Sequence, residues 1–237
     1  LKTVQNKVLT FFIVSLAILL LAFIVIDFIF TRIRIENDSM VQMNNSAAVI
    51  SDIVRDYMSP KITAVKKSAG ESAVVDFLSK DAETETFAKE SESFEAVKEI
   101  LSKISFTNSD VVSSWVISEN DRSLVSDIGS FIGAEELQLD ALYWHNDISL
   151  RGITDYTYCT ALAPSLIYPE KTVFSVIAPV YSSENIIGYV GMELEKSGLK
   201  KILEQYTFSS GCYPIITCNY GSIVYSPSSP EFEAKYD

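Results

Sequence analysis

Apolar side chains crowd into one uninterrupted block at the start of the chain. From Val8 to Phe30, 18 of 23 residues are Leu, Ile, Val or Phe, and no charge occurs between Val8 and Ile26. At roughly −0.4 kcal/mol each, those side chains favour membrane insertion by about 7 kcal/mol. Asp27 sits near one end, where a carboxylate costs less than at the bilayer centre. Twenty-three helical residues span about 34 Å, enough for the hydrocarbon core with slight tilt. A cleaved leader has a shorter apolar region, about 7–15 residues, followed by a small-x-small site. Here Thr31-Arg32-Ile33-Arg34 follows instead. The pattern therefore predicts a retained transmembrane helix over 8–30, with 1–7 as a short cytoplasmic stub and the bulk of the chain outside the membrane.

Beyond the block the period becomes helical. Met40, Met43, Ala47, Ile50, Val54 and Tyr57 recur at spacings of 3-4-3-4-3, an a/d seam of two and a half heptads. Ile62 and Val65 continue an apolar face past Pro60, which marks a kink or a restart. This predicts a long stalk helix over 31–68, ended by Gly70. Its seam either lies on its own domain or pairs with a second subunit through residues 40–57, and both can hold for different stretches. Helices are also expected within 71–105.

From Asp110 the period shortens. Val111–Ser118 is β-branched and aromatic, and reads as a strand returning through Glu119-Asn120-Asp121 to Ser123–Asp127. Leu137–His145 reads as a helix, and the aromatic-rich stretch from Asn146 to Lys171 as a long loop of the functional kind. Thr172–Tyr181 and Ile186–Leu194 form a hairpin around Ser182-Ser183-Glu184-Asn185. Ser197–Tyr206 reads as a short helix, and Cys212–Cys218 with Ser222–Tyr225 as a second hairpin.

Composition narrows the function classes. The 237 residues carry 31 acidic and 19 basic side chains, a net charge of −12. So acidic a surface repels phosphate backbones and argues against nucleic acid as a partner. Three cysteines do not build a disulfide scaffold; Cys159 could pair with Cys212 or Cys218, or all could be free thiols. His145 is the one histidine, so no His-rich metal site is expected, and no serine or cysteine nucleophile motif accompanies it. Phosphate-binding loops, zinc-protease and nucleophile-elbow motifs are lacking too. No cofactor, metal ligand or catalytic residue is assigned.

The order of elements and two sequence stretches then point to a family. Val173–Leu194, reading VFSVIAPVYSSENIIGYVGMEL, and Tyr213–Pro227, reading YPIITCNYGSIVYSP, resemble the double Cache (dCache) ligand-binding module of bacterial transmembrane receptors, over most of Thr31–Tyr225. The resemblance implies an α+β fold: a transmembrane helix, a long stalk helix, a PAS-like antiparallel sheet forming a membrane-distal subdomain over 69–206, and the beginning of a second, membrane-proximal subdomain over 207–237. It also implies a fragment, with one membrane crossing and no output domain. In amino-acid-binding members an Arg-x-Trp-Tyr motif overlies the pocket. Here Ala141-Leu142-Tyr143-Trp144 stands in its place, with the aromatic pair reversed and Ala141 where the carboxylate-clamping arginine would be. The family's amine-receiving aspartate matches Glu193. Its Tyr-x-Asp has no clean counterpart, Ala163-Pro164-Ser165 standing roughly there. The resemblance thus implies the same fold with an altered pocket.

The candidate ligand-binding residues are Tyr143, Trp144, Asp155, Tyr156, Tyr158 and Glu193. Aromatics give apolar area with a polar edge, suited to a small ligand. Glu193 follows Tyr189 and Gly191 on one strand face, where a carboxylate would favour a cationic or neutral ligand; the alternative is a solvent-facing edge position. Trp115, mid-strand, reads as core. The expected role is small-molecule sensing by a homodimeric receptor. The alternatives are a structural envelope anchor, or an anchored enzyme whose active site lies outside this segment.

Overall fold

The computed structural model describes residues 2–79, 92–107, 109–133, 135–142, 144–146, 148, 157–206, 213–217 and 223–226. It forms two compact units, Leu1–Val49 and Ile50–Asp237. The long helix α1 runs from Lys2 to Ala69 and continues through Pro60. In the first unit it is helix alone. Its apolar side chains from Leu9 to Phe30 are exposed around the whole circumference, as a helix facing lipid requires. This one helix is long and apolar enough to cross a membrane.

The second unit is a sheet covered by helices. After α1 come α2 (Ser72–Leu78), α3 (Glu92–Thr107), β1 (Val111–Ser118), β2 (Leu124–Ser126), β3 (Phe131–Ile132), a 3-10 turn (Leu139–Ala141), β4 (Tyr158–Cys159) and β5 (Ala163–Pro164). The hairpin β6 (Thr172–Ser182) and β7 (Asn185–Glu195) follows, then α4 (Lys196–Leu203), β8 (Ile216–Thr217) and β9 (Ile223–Tyr225). The sheet is antiparallel, in the order β3-β2-β1-β7-β6-β4, with β5 also on β6; β8 and β9 pair separately. Strand β7 is therefore central, which corrects the edge position considered for Glu193.

Strands β1, β6 and β7 are buried on both faces, which explains their near-continuous apolar runs. Val116, Val176, Val190, Met192 and Leu194 face the helices. α3 meets them with Phe94, Val97, Leu101 and Ile104, spaced 3-4-3 along one stripe. The C-terminal part of α1 belongs to this core through Val65 and Ala69, with Ile50, Tyr57 and Ile62 packed against it. Half of the stalk seam is thus used within the chain, whereas Met40 and Met43 in the first unit stay exposed.

A polar cluster pins α1 beside the start of β1. The Lys61 ammonium lies 3.3 Å from the Asp110 carboxylate, with side chains only 7% and 17% exposed. It also sits 3.8 Å from the centre of the Tyr57 ring, within cation–π range. The Tyr57 hydroxyl donates to Asp110. Burial first, then the Asp110 hydrogen bond and charge, holds the Tyr57 hydroxyl well above its ordinary 10.0. Gly198 in α4 leaves the room: a Cβ there would overlap the Tyr57 hydroxyl and lie 2.7 Å from Asp110 Oδ2.

Candidate functional site

The sheet face turned away from the helices carries the chemistry. Antiparallel register sets side chains in rows across it. One row is Trp115–Gly191–Ile177–Tyr158; the next is Ile117–Tyr189–Pro179; on the other side lies Ser113–Glu193–Ser175. Trp144 and Leu139 cover this face from the connection after β3, and the group forms a second, separate cluster of buried residues.

Gly191 explains the arrangement of its row. A Cβ there would overlap the six-membered ring of Trp115, so the bare backbone of β7 lets the indole lie across the sheet. Trp144 stacks on Trp115, with ring centres 5.9 Å apart and planes 22° apart. Tyr189 meets Trp144 edge-on at 5.3 Å, and His145 meets Tyr189 edge-on at 5.8 Å. These are the favoured aromatic geometries.

At the rim, His145 Nε2 lies 3.1 and 3.0 Å from the two oxygens of Glu119. A carboxylate only accepts, so Nε2 carries the proton and donates. The Tyr189 hydroxyl also bonds Glu119; burial first, then the Glu119 charge, raises it well above its ordinary 10.0. Among the described residues, two buried side-chain atoms have no hydrogen-bond partner, and both belong to this cluster: Trp115 Nε1 and His145 Nδ1.

Glu193 is buried, with 1% of its surface exposed. Ser113 Oγ donates to its Oε2 at 2.6 Å, Ser165 Oγ donates to the same oxygen, and the Leu166 backbone N–H donates to Oε1 at 2.8 Å. Ser165 Oγ in turn accepts the N–H groups of Ile167 and Tyr168. The carboxylate thereby ties the turn after β5 to the sheet. Glu193→Ala would strip acceptors from three buried donors, at about 1–3 kcal/mol for each unsatisfied group. We expect a fall of several degrees in the unfolding temperature, read by circular dichroism, with Glu193→Gln falling less because one acceptor remains.

Of the residues singled out in the sequence, Trp144, Tyr158 and Glu193 come to this one face. Tyr143, Asp155 and Tyr156 lie outside the described residues. Trp115, Tyr189, His145 and Glu119 complete the cluster on this face and were not among the sequence candidates. The large residue opposite a glycine, Trp115 against Gly191, was their one sequence-level signal. The helix expected over Leu137–His145 is instead a 3-10 turn over Leu139–Ala141, with a separate helical turn at 144–146. Leu137, Leu139 and Trp144 all point into the core, and spacings of two and five do not fit one helical face.

This fold is similar to that of solved ligand-binding domains of bacterial chemoreceptors, as the sequence resemblance implied. The chain is similar to the ligand-binding domain of the Pseudomonas aeruginosa PAO1 amino acid chemoreceptor PctB in complex with L-Gln, with a TM-score of 0.56 and 16% identity, over 76% of this chain and 65% of that one. Against the ligand-binding domain of Pseudomonas fluorescens chemoreceptor CtaA in complex with L-alanine the TM-score is 0.55 at 15% identity, over 79% and 71%. Against the sensory domain of Campylobacter jejuni chemoreceptor Tlp3 (CcmL) with isoleucine bound it is 0.50 at 14% identity, and the chain spans 58% of that domain's length while 65% of this chain is covered. No protein-family model and no curated protein matches the sequence.

Proposed function

We propose that this chain is the extracytoplasmic, small-molecule-sensing part of a bacterial transmembrane receptor. One observation carries the reading: a single unbroken helix, Lys2–Ala69, holds a membrane-length apolar run at one end and core-packing residues of a sensory-type sheet at the other. On this reading the segment binds its ligand without transforming it. We place the ligand over the Trp115–Trp144–Tyr189 face, with Tyr158 and Glu193 as further contacts; Tyr143, Asp155 and Tyr156 stay proposed contacts on the sequence alone. Oε1 of Glu193 keeps one lone pair for a ligand N–H, its other three acceptor positions being taken by Ser113, Ser165 and Leu166. That favours a cationic or neutral ligand over an anion. The solved sensory domains it is similar to hold L-Gln, L-alanine and isoleucine, which makes amino acids the first class to test. The hairpin β8–β9 would open a second, membrane-proximal subdomain.

The test is a thermal-shift screen of the chain in nanodiscs against amino acids, amides, alcohols, amines and carboxylates. A ligand at a hundred times its Kd stabilises the folded state by about 2.7 kcal/mol, a shift of several degrees. A screen with no saturable shift would overturn the reading.

Signal transfer requires the ligand to favour one of two arrangements of α1, and a coupling of about 1–3 kcal/mol suffices. We place the homodimer contact on the 40–57 helix, with exposed Met40 and Met43 as its main contributors. Met40→Lys with Met43→Lys would put like charges in that seam. The dimer fraction in sedimentation is expected to fall at least tenfold while the unfolding temperature is unchanged; an unaltered dimer would remove this helix from the interface.

A further inference from the structure

Burying a donor or acceptor without a partner costs about 1–3 kcal/mol, and folded chains rarely tolerate it. Trp115 Nε1 and His145 Nδ1 are such atoms, on residues only 0% and 7% exposed. They flank the same ring: Trp144 lies 5.9 Å from the Trp115 indole and 6.0 Å from the His145 imidazole, centre to centre. Elsewhere on this face polar groups are satisfied with care, as the three donors around Glu193 show.

The two atoms ask for opposite things. An indole N–H only donates, so it needs an acceptor. His145 Nε2 donates to Glu119; with that single ring proton on Nε2, Nδ1 is an acceptor and needs a donor. Among the described residues, the charges in the hydrogen-bond network of this face, Glu119 and Glu193, are both carboxylates. An anionic group would meet repulsion here, and an ammonium offers nothing to the Trp115 N–H. Resting on the sensing role proposed above, we infer that the ligand meets this cluster with an uncharged group that both accepts and donates, a carboxamide or a hydroxyl, bound by Trp115 Nε1 and His145 Nδ1. A site built in this way rejects apolar isosteres strongly, because they leave its buried polar atoms unpaired.

The chain has two tryptophans, Trp115 and Trp144, so labelling tryptophan with nitrogen-15 gives two indole N–H resonances, assigned by Trp144→Phe. The full chain in nanodiscs is titrated with L-glutamine and L-serine, the amide and hydroxyl probes, and with L-glutamate, L-lysine and L-norvaline. Propionamide, glycerol, propionate and propylamine extend the series beyond amino acids. The expected result is saturable binding by amide or hydroxyl probes, a displaced Trp115 indole resonance, and affinity reduced roughly tenfold by His145→Phe, the loss of one hydrogen bond. Which of the two probe types binds identifies the group. Binding confined to the charged or apolar probes, or binding that leaves the Trp115 resonance in place, would overturn this inference and leave the sensing role standing. No binding by any probe would overturn both. The resonance is read in the unsubstituted protein, so the outcome does not depend on a variant folding.

Discussion

Asp110→Ala is expected to destabilise the sheet-bearing unit by about 3–5 kcal/mol, the cost of leaving one partner of a buried ion pair alone. The carboxylate satisfies Lys61 and the Tyr57 hydroxyl together, at a site where the lysine side chain is 7% exposed. Removing it strands an ammonium and a phenol against α4. For a unit of this size the midpoint of thermal unfolding should fall by roughly 10 °C. In urea, the midpoint should move with little change of slope. Asp110→Asn keeps an acceptor and should lie between. Adding Lys61→Met to Asp110→Ala should restore part of the loss, because the stranded charge goes with it. The cluster also has a pH signature. Tyr57 is held above its ordinary 10.0 by burial first and then by Asp110, so its contribution is complete below about pH 10 and is lost as the pH rises further. Should the double variant be no better than Asp110→Ala alone, the stranded lysine is not the cause of the loss.

Gly191→Ala should act on the site itself. The added methyl would occupy the volume of the Trp115 ring, and β7 has strands on both sides that prevent it from yielding. The indole must swing off the sheet and carry the stacked Trp144 with it. Overpacking of this kind costs about 1–3 kcal/mol, and the emission of both tryptophans should shift. Trp115→Phe in the same chain frees the space and should recover stability. If Gly191→Ala has native emission and stability, the close approach of indole to backbone is not what orders this face.

Much of the fold was legible because the sequence pattern and the burial agree. β1 was expected at Val111–Ser118, where it is found. The hairpin of β6 and β7 was placed to within a residue at each end, since β-branched runs either side of a two-residue turn fit little else. The stalk was legible as a helix but not as a partner surface. One a/d seam serves Ile50 and Tyr57 inside the chain and leaves Met40 and Met43 exposed, and spacing alone does not distinguish the two. The site was half legible. The contacts that Gly188 and Gly191 permit, to Ile117 and Leu78 for one and to Trp115 for the other, depend on elements far apart in sequence. Trp115 read as core and is fully buried, but an indole N–H without a partner is visible only once the neighbouring side chains are in place. His145 was weighed as a metal ligand or acid–base residue and assigned to neither; its pairing with Glu119 across 26 residues makes it part of a polar rim.

The central claim is that this sheet face receives a small molecule. Because Trp115 and Trp144 are the chain's two tryptophans and stack on each other there, tryptophan emission reports this face directly. The decisive measurement is a fluorescence titration of the full chain in nanodiscs with each compound that raises its unfolding temperature. A saturable change in emission is expected, with a Kd equal to that from the thermal shift. Stabilising compounds that leave the emission unchanged would put their site elsewhere and contradict the central claim.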